Sequence, residues 1–480
     1  MLATLVLVAA AAATAPQAPP SPIPTPRPHP EIPALGDKLD GWLVAAGFRG
    51  SVLVSKGGTI VLRKGYGMAD RENNVPYDAD TVFVVGSLTK QFTAAMILKM
   101  EMLGRVSTED SIAKYFNGVP PDKVTITLHQ LLTHTSGLES DFAGDYDPVS
   151  SNDYARTIFK SKLRSKPGEE YYYSNAGYSL LGIIIEFVTG LTYDKGLRTS
   201  LFLPAGMNET GYKLPAWPPA RIAVGYKDGT RWGKITEKPW APDGPYYALR
   251  ANGGVLSTLD DMLRWHTALT GDKILSPAAK TKMYTPYVRE GAGADTFYGY
   301  GWSIGKSAWG TTLIEHNGGN GVYFADFLRF PDDDLVVILS TNDSEVKGGR
   351  ISHALARLAH GDEVPVPKTG PETVKPLGRS RRDSVIKAWF DAYNAEGMDA
   401  MRAFRAKHQT PRPGMTDADR EKRLTEMRKD LGQLTPDGIV DEADGAVTVR
   451  AKSANGPTGR FKFMFGDGGK VEGIAIELNN

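Results

Sequence analysis

Cysteine is absent from the 480 residues, which excludes disulfide cross-links, thiol nucleophiles and thiolate metal sites. A charge surplus is missing as well: 56 Lys and Arg face 55 Asp and Glu, leaving a net +1. Bulk electrostatic attraction to nucleic acid or to an anionic membrane surface is therefore excluded. Past the first residues, no stretch reaches the ~18 uninterrupted apolar residues that cross a bilayer, so no integral membrane span is expected after leader removal. A phosphate-cradling Gly-rich loop ending in Lys-Ser/Thr and a His-Glu-x-x-His pattern are also lacking, so neither cofactor nor metal is expected. His129 and His134 are five apart in a segment that offers no third or fourth ligand. What is abundant is glycine, 52 residues, which implies many tight turns. With 41% hydrophobic and 23% charged residues, the composition is that of a globular protein with a large core.

Residues 1–15 run from Met1 through Leu-, Val- and Ala-rich sequence to Ala15. This apolar stretch, about 12–14 residues long, is too short for a span and suits a secretory leader, although it carries no Lys or Arg. An Ala-rich tail is the alternative. Proline-rich residues 16–34 read as an extended spacer, so the order is leader, tether and folded body, and the protein is expected to be exported to the periplasm or secreted. A second break at 363–379, with Pro365, Pro367, Pro371 and Pro376, separates a large body, 35–362, from a small unit, 380–480. No internal repeat has a fixed period.

Within the body, Ser51–Ser55 and Ile60–Leu62 flank Gly57-Gly58 as a β-hairpin. Gly321–Phe330 and Leu335–Leu339 form two further β-rich runs around the turn 331–334. Between them, Gln91–Leu103 reads as an amphipathic helix and Leu180–Val188 as a short apolar one. Strands at both ends with helices between them predict an α+β fold: an antiparallel sheet flanked by helices plus a helical subdomain.

Ser87-Leu88-Thr89-Lys90 runs directly into the first helix, placing Ser87 and Lys90 on one face. A serine hydroxyl needs a neighbouring base, which a desolvated lysine of lowered pKa supplies, and a helix N-terminus favours a developing oxyanion. Alone, this pattern more often marks a capping serine and a solvated lysine. Two further segments add weight. Tyr173 and Asn175 stand two apart in Tyr171–Tyr178 and offer a phenol, as tyrosinate or Lys-assisted base, and an amide for Lys90 and a substrate carbonyl; aromatic runs alone are mostly packing. The Gly-rich run Glu315–Gly321 leads into a strand and offers backbone N–H groups beside a substrate.

These residues carry a resemblance. Ser87-Leu88-Thr89-Lys90, Tyr173-Ser174-Asn175 and His316-Asn317-Gly318, in that order, resemble the three active-site motifs of the serine β-lactamase-like hydrolases: class C β-lactamases, D-Ala-D-Ala carboxypeptidases, D-aminopeptidases and related esterases. The segments Leu131–Leu138, Gly253–Ser257 and Tyr298–Trp302 support the resemblance, which spans about Leu35 to Ala359. It implies Ser87 as acyl-enzyme nucleophile, Lys90 and Tyr173 as the proton-transfer pair and Asn175 as orienter of lysine and substrate. His316 and Gly318 would form a wall, and the N–H groups of Ser87 and Gly319 an oxyanion hole. Where class C β-lactamases have Lys-Thr-Gly, this chain has His316-Asn317-Gly318, like the family's peptidases and esterases. A fixed cation for a β-lactam carboxylate is thereby replaced by a residue mostly neutral at pH 7, which implies weak or no β-lactamase activity.

Two motifs mislead. Lys368-Thr369-Gly370 spells the missing triplet but sits between Pro367 and Pro371, where a central strand is excluded. Gly301-Trp302-Ser303-Ile304-Gly305 spells a nucleophile elbow, yet no helix signal follows it. In the last unit, helices at Asp383–Glu396 and Glu421–Leu431 precede alternating strands at Val447–Val449, Arg460–Phe465 and Val471–Leu478. This small α+β unit resembles NTF2-like modules in architecture and reads as an accessory. The expected function is an exported serine hydrolase acting on esters or D-amino-acid amides and peptides, its partners small molecules or short peptides. The alternative is a non-catalytic cell-wall or ligand-binding module on the same scaffold.

Overall fold

In a computed structural model the described residues are 32–291, 293–367, 374–410, 416–443, 445–455 and 458–478. The leader, nearly all of the proline-rich spacer and Lys368-Thr369-Gly370 lie outside them. The chain divides after Pro367 into two compact units.

Eight antiparallel strands make the sheet of the first unit. Their order is Thr59–Tyr66, Gly50–Lys56, Leu335–Thr341, Phe324–Phe330, Thr312–Gly319, Ser303–Lys306, Phe297–Tyr298 and Val288–Arg289. The N-terminal hairpin pairs with the last strand through Ser51–Ser340, Leu53–Ile338 and Lys56–Leu335. Period-two alternation sorts the central strands between two cores. Val52, Val54, Val337 and Leu339 pack with the helices Ile32–Ala45 and Gly348–His360. Leu53, Val336 and Ile338 join the core of the helical subdomain.

At the centre of that second core lies the helix Thr89–Met102, and it departs from the amphipathic helix expected at Gln91–Leu103. It is buried nearly all round, Thr89, Lys90, Gln91 and Thr93 included. Its polar side chains are largely hydrogen-bonded: Thr93 Oγ1 donates to the Ala251 carbonyl at 2.6 Å, and Gln91 Oε1 accepts from Trp265 Nε1 at 3.2 Å, while Gln91 Nε2 is buried without a partner among the described residues. Phe92 meets Phe202 and Trp265 edge-on at 5.0 and 5.1 Å. Truncating so enclosed a ring costs about 3–5 kcal/mol. The apolar helix expected at Leu180–Val188 extends over Asn175–Thr189, capped by the Ser174 side chain on the Gly177 N–H.

The second unit holds helices Arg381–Asn394, Asp399–His408 and Asp417–Leu431, then an antiparallel sheet ordered Leu434–Ala443, Ala446–Ser453, Gly459–Phe465, Val471–Leu478. Two of these elements escaped the sequence reading. Asp399–His408 buries only Met401 and Phe404, too thin an apolar stripe to read as periodic. Leu434–Ala443 contains Pro436 and Gly438 at a register shift, which an edge strand accommodates as a bulge. Trp389 organises this core, stacked on Tyr393 at 5.4 Å and packed on Phe461 at 5.7 Å. Among the described residues, no single helix is long and apolar enough to cross a membrane.

Candidate active site

Ser87 stands in a tight turn, Gly86–Leu88, that feeds directly into the buried helix Thr89–Met102. This turn touches the strand Thr312–Gly319 through backbone alone. A Cβ on Gly318 would lie 2.2 Å from the Val85 carbonyl and 2.4 Å from the Ser87 nitrogen. One on Gly86, whose φ is +54°, would lie 2.7 Å from the Gly318 carbonyl carbon and 2.8 Å from the Gly319 nitrogen. Glycine at both positions brings Ser87 and Gly319 onto the lining of one open cleft of ≈ 370 Å³, solvent at its mouth included. Asn175 lines it as well.

Lys90 lies beneath Ser87, fully buried. Its Nζ is 3.1 Å from Ser87 Oγ, 2.7 Å from Asn175 Oδ1 and 2.8 Å from the Asn252 carbonyl. Burial pulls its pKa down to about 7, with Asp141 and Asp145 opposing the fall. A neutral amine has two N–H groups and one lone pair. Asn175 and Asn252 take the two N–H groups, which leaves the lone pair facing the Ser87 hydroxyl.

The Tyr173 phenol is close enough to the Ser87 side chain to be influenced by it, and its ring lies 4.7 Å from Lys90 Nζ. Burial pushes its pKa up. Of the two expected roles for Tyr173, this direction favours the Lys-assisted one over the tyrosinate.

His316 and Gly318, expected as a wall, lie on the strand Thr312–Gly319 but outside the cleft lining, which that strand reaches through Gly319; the His316 ring is 6.2 Å from that of Tyr173. Nδ1 lies 2.6 Å from the Asn317 carbonyl and Nε2 2.9 Å from the Tyr298 hydroxyl. The proton therefore sits on Nδ1, and Nε2 accepts from Tyr298. Burial, then repulsion from Lys90, lowers its pKa to about 3, so no fixed cation stands where the Lys-Thr-Gly lysine would be.

The sequence reading passed over several contributors. His134, part of the Leu131–Leu138 segment, adopts φ +58° and is buried against Tyr173, Tyr298 and Tyr178, with ring centroids 4.3, 4.6 and 5.1 Å away. The Asn252 carbonyl anchors Lys90, and its amide is tied to Ser179 and Ala248; a backbone acceptor leaves no trace in side-chain patterns. Asp145, Tyr146 and Asn320 also line the cleft. Ser303 opens a strand and donates to Glu290, and the next element is another strand, not the helix an elbow requires. His129 pairs with the Tyr300 hydroxyl at 2.7 Å. Among the described residues, no group of three or more His, Asp or Glu is arranged to hold a metal.

Sheet, buried helix and the Ser87–Lys90–Asn175 cluster together define the serine hydrolase fold shared by β-lactamases and penicillin-binding proteins. The β-lactamase family model matches residues 44–361, and the chain belongs to that family. It is 32% identical over 314 residues to penicillin-binding protein 4* of Bacillus subtilis (strain 168), covering 62% of this chain and 69% of that protein. The D-amino acid amidase from Ochrobactrum anthropi SV3, solved with D-phenylalanine, superposes with a TM-score of 0.53 at 25% identity, over 64% of this chain and 92% of its own. An octameric penicillin-binding protein homologue from Pyrococcus abyssi shares the fold over 93% of this chain and 98% of its own, with a TM-score of 0.61 at 23% identity.

Proposed function

We propose that the protein is an exported serine hydrolase that cleaves esters, or amides beside a D-residue, through an acyl-enzyme on Ser87. The observation that carries this reading is the Lys90 amine, 3.1 Å from Ser87 Oγ with its N–H groups engaged elsewhere. In this mechanism Lys90 Nζ takes the hydroxyl proton as Oγ attacks the substrate carbonyl. The backbone N–H groups of Ser87 and Gly319 hold the resulting oxyanion. Tyr173, beside Ser87 and close to Lys90, relays the proton to the leaving group, and water then releases the acyl group by the reverse relay. Asn175 orients both the amine and the substrate carbonyl.

Support for the D-amide branch comes from the amidase neighbour, and export rests on residues 1–34 of the sequence. A neutral His316 argues for weak turnover of carboxylate-bearing β-lactams. A binding module without activity has no use for two proton-transfer groups directed at one hydroxyl, so the catalytic reading is preferred.

Turnover of a short-chain p-nitrophenyl ester tests the reading. Ser87→Ala should lower kcat/KM by about 10³-fold or more with an unchanged far-UV CD spectrum. Retained turnover would overturn the assignment.

A further inference from the structure

One side chain in the cleft has no place in the mechanism above. Asp145 is half-buried and lines the same cleft as Ser87 and Gly319. Among the described residues it is the one charged side chain of that lining, and none of them gives its carboxylate a hydrogen bond or an ion pair. Carboxylates withdrawn from water are normally paired, because desolvation without a partner is costly. Asp145 instead has burial and the like charge of Asp141 working against it, both raising its pKa, and only Lys90 in its favour. A neutral Lys90 leaves the cleft with one uncompensated negative charge.

Tyr146, the next residue, lines the cleft too. Its hydroxyl accepts from Asn320 Nδ2 at 3.4 Å, and its ring lies 5.9 Å from that of Trp232. A carboxylate and an aromatic ring on the lining of one cleft favour a cation, the first through its charge and the second through the ring quadrupole. Nothing in acyl transfer itself calls for this pairing at that position.

We propose that Asp145 and Tyr146 form a subsite for a positively charged nitrogen, and that the substrate carries such a group within a few bonds of its scissile carbonyl. This rests on the hydrolase reading and names its substrate class: cationic esters or amides are favoured, neutral ones are second, and anionic ones are repelled.

Two isosteric esters isolate the charge: acetylcholine, and 3,3-dimethylbutyl acetate, in which carbon replaces the quaternary nitrogen. Binding is measured by calorimetry to the full chain carrying Ser87→Ala, at a pH above the Lys90 titration, so that no turnover is needed. Acetylcholine is expected to bind about tenfold tighter than its neutral isostere. Adding Asp145→Asn should bring the two within about twofold, while Asp145→Glu keeps the preference. Equal binding of both esters, a preference that survives Asp145→Asn, or no detectable acetylcholine binding at about 10 mM overturns the proposal. Hydrolysis of the neutral ester by the unsubstituted protein, and its loss in Ser87→Ala, reports on the hydrolase reading separately.

Discussion

His134 Nδ1 accepts the backbone N–H of Ser174 at 3.0 Å, while the His134 carbonyl takes that of Tyr172 at 2.8 Å. Tyr173 is thus held from both neighbours, and Asn175 follows one residue later as the start of its helix. With Nδ1 accepting, the ring proton is on Nε2, an atom that is buried without a hydrogen-bond partner among the described residues. Burial, then Lys90 and His316, keep this imidazole neutral. His134→Ala should therefore lower kcat by about 10–100-fold through misplacement of Tyr173 and Asn175, with a smaller change in KM. His134→Gln, whose amide oxygen can accept from Ser174, should recover part of the loss. Steady-state kinetics on a short-chain ester distinguish the two.

On the proposed mechanism, the acid limb of activity belongs to Lys90. Below about pH 7 its amine is protonated and cannot take the Ser87 proton, so kcat/KM should fall about tenfold per pH unit there and level off above. The groups facing it divide by sign. Asp141 and Asp145 raise its pKa, whereas His134 and His316 stay neutral across this range and add no limb of their own. Asp145→Asn removes one upward influence and should move the limb to lower pH. A pH–rate profile of both proteins reads this, and an unmoved limb would rule out coupling between the two groups.

Gly318→Ala should be damaging out of proportion to one methyl. The new Cβ meets the Val85 carbonyl and the Ser87 nitrogen, neither of which can rotate away. Separating turn from strand by about 1 Å should cost roughly 100-fold in kcat/KM. Thermal melting alongside the kinetics tells a displaced oxyanion hole from an unfolded chain.

A serine-directed phosphonate should add one adduct, mapped by peptide mass spectrometry to Ser87. Labelling of Ser303 would contradict the hydrogen-bonded, structural role described for it. Side-by-side assays should show a chromogenic cephalosporin turned over at least about tenfold more slowly than a neutral ester, since the one charge on the cleft lining is that of Asp145 and the nearby His316 is neutral.

How much of this could be read beforehand follows from where the information resides. The hairpin around Gly57-Gly58 and the closing strands were legible because alternation and turn residues are local. Ser87, Lys90, Tyr173 and Asn175 were legible through their spacing and order. The near-complete burial of Thr89–Met102 was not, since the partners of Thr93 and Gln91 come from distant segments, Ala251 and Trp265. Asn252 acts through a carbonyl that every residue possesses. Asp145 gains meaning only from the cleft around it, and His134 only from the tyrosines packed on its ring.

Because Gly50–Lys56 lies between Thr59–Tyr66 and Leu335–Thr341, the sheet is closed by segments from opposite ends of the first unit. Such distant pairing makes assembly slow and late. During synthesis Ser87 emerges long before Gly318 and Gly319, so a nascent chain carries its nucleophile without the wall that would hold an oxyanion. On the proposed mechanism, competence would therefore come only once the strand of Gly318 and Gly319 has joined the sheet.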